Sequence, residues 1–151
     1  MKFRRSGINA AISPQTSQPA NWHERISLDL AQNFHVDDQM IEPTGADLAI
    51  REGSRVAVVE VKTGDPNLPL PSSTASQMRM YVADVQKKVD PAQEMEVFPV
   101  LVTNYQVSSA DRQELADQGI KIVEISPAES LYDRNAFFNS FSSIVGFQKQ
   151  S

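Results

Sequence analysis

At 151 residues the chain is long enough for one domain with a real core. It has no cysteine, which excludes disulfides and cysteine zinc sites and suits a reducing, cytoplasmic setting. A formal net charge of -5 argues against coating nucleic acid through massed lysine and arginine. It leaves room for a single cleft whose positive charge comes from a metal ion.

The first 19 residues, MKFRRSGINAAISPQTSQP, start basic and are then rich in Ser, Gln and Pro. They lack a continuous apolar stretch, so they read as a flexible arm, not a signal peptide. A single domain is expected over residues 20–148. No apolar run approaches the roughly 18 residues of a membrane helix, so no membrane partner is expected.

Asn21 is placed to cap a helix through WHERISLDLAQNF, with Trp22, Ile26, Leu30 and Phe34 on one stripe. Residues 34–41 suggest a first strand, Asp37-Asp38 a solvated turn, and EPTG a further turn. His23 and His35 have no matching partners and read as surface or core histidines.

Two apolar runs follow in GADLAIREGSRVAVVEVKTG, residues 45–64. Gly53-Ser54 between them is a two-residue hairpin loop, with glycine where a type II′ turn needs it. That turn pairs Glu52 with Arg55 and Arg51 with Val56. Carried outward, it sets Asp47 opposite Glu60. Strand alternation puts Glu60 and Lys62 on one face, so all three converge at one end of the hairpin. Opposed carboxylates repel, which calls for something positive between them. A hard divalent cation, Mg²⁺ or Mn²⁺, needs only one or two carboxylates plus water and phosphate. The plain alternative is a solvated sheet face with Lys62 as an ion-pair partner. The apolar setting of VAVVEVK favours an interior position instead.

Residues 65–73, with three prolines, form a loop. A helix is expected from Thr74 to Val89, with Met78, Val82, Val85 and Val89 inward. Gln77 and Tyr81, four apart, border that stripe on one face. EVFPVLVTN reads as a buried strand in spite of Pro99. SSADRQELADQG reads as a helix with a Ser108–Asp111 capping pattern and a Gly119 stop. IKIVEI is a further strand. LYDRNAFFNSFSSIVGF is a helix with Phe137, Phe138, Phe141, Ile144 and Val145 on one side. That stripe most simply packs over the sheet, and its aromatic load would also suit a homodimer interface. Overall the order implies an α/β domain, a mixed central sheet flanked by helices.

Asp47, then Glu60-Val61-Lys62, then Gln77-Met78-Arg79-Met80-Tyr81 resemble the PD-(D/E)XK nuclease superfamily. The last group is similar to the Q-x-x-x-Y motif of its RecB-type branch. The resemblance covers roughly residues 20–125 and implies a restriction-endonuclease-like core. It implies metal binding by Asp47, Glu60 and the Val61 carbonyl, and water activation by Lys62. Gln77 and Tyr81 would then support the site and contact substrate, and Glu24 would be the first-helix glutamate. Ala46, not proline, precedes Asp47. The expected activity is metal-dependent hydrolysis of DNA. The alternatives are a subunit active only in a complex and a non-catalytic module that binds DNA or a protein.

Overall fold

In the computed structural model, the described residues are 19–34, 36, 47–127 and 129–150. Of the arm expected over residues 1–19, residues 1–18 lie outside them and Pro19 belongs to a helix; the Asp37-Asp38 turn and the EPTG turn also lie outside them. Helix α1 spans Pro19–Asn33, strands β1 and β2 Leu48–Glu52 and Arg55–Lys62, and helix α2 Thr74–Val89. Strand β3 (Glu96–Thr103), helix α3 (Ser109–Asp117) and strand β4 (Lys121–Glu124) follow. A 3-10 turn at Glu129–Leu131 leads into helix α4, Arg134–Val145. Helix α1 starts at Pro19, so Asn21 lies inside it and is not its cap. Of the strand expected at 34–41, the described part is one antiparallel bridge, Val36 to Ile50.

The sheet runs β1-β2-β3-β4, with β1 antiparallel to β2 and the other pairs parallel. Gly53 takes φ +63° and Ser54 does not enter the positive region, as a type II′ turn requires. The register is the expected one: Glu52 faces Arg55 and Arg51 faces Val56.

Alternation along the strands sorts the core into two faces. Ala57, Val59 and Val61 meet Trp22, Ile26 and Leu30 of α1 and Phe137, Phe138 and Phe141 of α4. Val56 and Val58 meet Val85 of α2, while Leu101 meets Met78 of α2 and Leu115 of α3. Ile26, Leu30 and Phe141 are fully buried, each aliphatic worth roughly 1.5–3 kcal/mol of burial. The aromatics pack tilted, with Phe34 and Phe141 centroids 4.8 Å apart. The phenylalanines of the α4 stripe therefore pack inside the chain. Ile144 falls outside the stripe and is exposed.

Pro99 sits within β3 without breaking the ladder. The Glu96 N–H donates to the Ser54 carbonyl on the β2 side, and the Thr103 carbonyl accepts from Ile125 on the β4 side. Alternation then points residue 99 toward β4, whose pairing starts only at Val100. No bond is lost there.

At the far end of α2, Asp90 closes the turn into β3. Its Oδ1 accepts the Glu94 N–H at 2.7 Å and its Oδ2 the Met95 N–H at 2.9 Å. The Gln86 amide donates to the same carboxylate. At the hairpin end, Arg55 lies between the Phe98 and Phe147 rings and donates to the Val145 and Gly146 carbonyls. It satisfies the last turn of α4 and ties it to the sheet.

Candidate active site

The start of β1 and the end of β2 share one end of the sheet. Leu48 faces Val59, which sets Asp47 across from Glu60. Asp47 does not continue the ladder. Its side chain turns to β2, and Oδ2 accepts the Val61 N–H at 2.8 Å. In a strand the carbonyl of a residue points the same way as its N–H, so the Val61 carbonyl also faces this end.

Glu60 is 8% exposed. Its Oε1 is buried with no hydrogen-bond partner among the described residues, and its Oε2 stands 3.6 Å from Lys62 Nζ. The Lys62 ammonium donates to Gln77 Oε1 at 3.0 Å, which joins β2 to the first turn of α2. Tyr81, one turn further, is half-buried against the α2 face. Lys62 is held from below as well. Thr103, fully buried on the neighbouring strand, donates to the Lys62 carbonyl at 2.8 Å.

The charges respond to this crowding. Burial, then the Asp47 carboxylate beside it, push the Glu60 carboxyl up to about 7 against the pull of Lys62. Burial also works against the Asp47 anion. Hydrogen bonds from His23 and Val61 overcome it and hold Asp47 below the usual carboxylate value. The His23 imidazole is raised, chiefly by its hydrogen bond to Asp47 and against its own desolvation. The Tyr81 phenol is raised by desolvation and then by the charges of Glu60 and Asp47.

Asp47, Glu60, Lys62 and Gln77 thus form one constellation, with Tyr81 at its border. Glu24 is exposed, and its neighbour His23 makes the α1 contact, with Nε2 3.2 Å from Asp47 Oδ1. In the sequence alone His23 has no matching partner. Trp22 beside it points into the core, and nothing in the periodicity shows that α1 passes the sheet end where Asp47 waits. Thr103 was missed for a similar reason, since parallel pairing of β2 and β3 is what brings it to Lys62.

The donor set suits a hard divalent cation. Two carboxylates and a carbonyl offer oxygen only, and the orphaned Glu60 Oε1 is a buried acceptor without a donor. Among the described residues no three His, Cys, Asp or Glu side chains gather into a full cage. Water and substrate oxygens would complete the shell, the pattern of Mg²⁺ and not of structural zinc.

A comparison with protein-family models finds no match, and comparisons with curated proteins and with solved structures find no significant one. The fold class stands on the structure itself, an α/β domain with a four-stranded mixed sheet. No described helix is long and apolar enough to cross a membrane.

Proposed function

We propose that this chain is a metal-dependent nuclease that hydrolyses phosphodiester bonds in DNA, on a restriction-endonuclease-like core. The observation that carries the reading is Glu60: a buried carboxylate with an unmatched oxygen, opposite Asp47 and beside Lys62. A bound Mg²⁺ or Mn²⁺ supplies stabilisation of the charge that builds on the phosphoryl oxygens. Asp47, Glu60 and the Val61 carbonyl hold the ion. Lys62 orients the attacking water, and Gln77 fixes the ammonium that does so. His23 keeps Asp47 ionised and aimed. Tyr81 borders the substrate side. A pairing of Lys and Glu on a plain solvated face would not bury Glu60 or leave one of its oxygens without a donor.

The test is incubation with single-stranded, duplex and branched DNA in Mg²⁺, in Mn²⁺ and in chelator. Metal-dependent cleavage of at least one form is expected. Binding without cleavage of any form would replace the enzyme with a DNA-binding module of the same architecture.

A further inference from the structure

A second hydroxyl stands over the same end of the sheet. Strand β2 ends at Lys62, and Gly64 follows two residues on. A Cβ built on Gly64 would run into the Tyr105 hydroxyl and ring. The phenol therefore fills the space a side chain at 64 would take. Two residues of chain span at most about 7 Å, so the Gly64 backbone that this oxygen faces lies within that reach of Lys62. Gly64 has an ordinary φ, so its lack of a side chain serves space and not backbone conformation.

Hydrogen bonds fix the backbone on both sides of that contact. Asn104 accepts the Gly64 N–H at 2.9 Å and donates to the Gly64 carbonyl at 3.0 Å. The Tyr105 N–H donates to Thr103 Oγ1 at 3.0 Å, the same hydroxyl that holds the Lys62 carbonyl. The ring packs with Leu70, Met78 and Leu101. The phenol oxygen, in contrast, bonds to no group among the described residues and is not sealed from solvent. A hydroxyl with no partner among the described residues, at the carboxyl ends of parallel strands, is placed to meet a ligand.

Resting on the nuclease reading, we infer that the Tyr105 hydroxyl donates to a DNA phosphate next to the scissile one. It is a substrate contact, remote from the bond that breaks. Its removal should weaken binding and leave the chemical step alone.

The experiment compares the parent chain with Tyr105→Phe and Gly64→Ala, using the DNA form that the parent cuts best. Steady-state kinetics in Mg²⁺ and thermal melting are read together. Tyr105→Phe should raise KM about tenfold, the scale of one hydrogen bond to a charged group. Its kcat and melting temperature should match the parent. Gly64→Ala, which forces the phenol aside, should raise KM in the same direction. A parent-like KM in Tyr105→Phe would overturn the inference and leave the nuclease reading standing. A lowered melting temperature with unchanged KM would overturn it too, since the ring would then be structural. A parent that neither binds nor cuts DNA would overturn the nuclease reading, and this inference with it.

Discussion

At the scale of single residues, Glu60 is the group with the most unusual chemistry. Its folded-state pKa of about 7 lies above the 4.5 of an unperturbed glutamate. The sign follows from linkage. A raised pKa contributes stability that is full below about pH 4.5 and is lost as pH rises through about 7. At alkaline pH, with no cation present, the charged carboxylate works against the fold. Glu60→Gln should therefore stabilise the metal-free chain at pH 8.5 by on the order of 1–3 kcal/mol, and change it little at pH 4. Urea unfolding in chelator at the two pH values reads this difference. A Gln variant less stable than the parent at pH 8.5 would mean that Glu60 is not held against its charge.

Lys62 gives the complementary case. It touches Glu60 and Gln77 but is not an oxygen donor to a cation. Lys62→Met should cut turnover by roughly 10²–10⁴-fold, the usual span for losing a group that handles the reacting proton. Affinity for Mn²⁺ by calorimetry should hold or rise, because a positive neighbour is gone. Parent-like cleavage by this variant would remove Lys62 from the chemistry. A plain surface ion pair would instead be worth only about 0–1 kcal/mol of stability and no activity.

At the scale of elements, the joint between α2 and β3 depends on Asp90. Burial disfavours its charge, but the Met95 and Glu94 N–H groups and the Gln86 amide outweigh burial and hold its pKa below the usual value. A depressed pKa contributes stability present above the unfolded carboxylate value and lost as pH falls through the folded one. Asp90→Asn should thus be destabilised at pH 7, with the deficit shrinking in strong acid as the parent itself protonates. Denaturant midpoints at pH 7 and pH 2.5 compare the two. A constant deficit would assign the effect to geometry and not to charge.

The elements also show what a sequence can carry. The β1–β2 hairpin was legible because one glycine at a two-residue turn fixes every pairing outward, including Asp47 against Glu60. Helix α2 was legible from its apolar spacing, and its Gln77 lies against Lys62. The Ser108 cap is present, its side chain accepting the Asp111 N–H. His23 was not legible, because its contact with Asp47 depends on where α1 crosses the sheet. Ile144 was assigned inward because a stripe four residues wide blurs at its margin. Glu24 failed for the same reason in reverse: adjacent helix positions differ by 100°, and only His23 turns to the site.

At the scale of the molecule, two layers of helices close the sheet, and the candidate site lies where the hairpin and two parallel strands end. Half of the site, Asp47 with Glu60, belongs to a local hairpin. The other half, Lys62 with Gln77 and Thr103, exists only once α2 has crossed over and β3 has paired. The ammonium and its acceptor therefore meet only after α2 has packed on β2.

Pro99 bears on how the sheet accounts for its backbone donors. The first residues of β3 have β2 on one side and no strand of the described chain on the other. Pro99 is itself buried there, and a residue without an N–H leaves no unmatched donor on that side. Pro99→Val would bury an N–H with no strand to receive it, and should lower stability by roughly 1–3 kcal/mol in urea unfolding. Parent-like stability would show that the new N–H finds an acceptor. What looked like a blemish in a buried strand gives up a donor that no neighbouring strand is there to match.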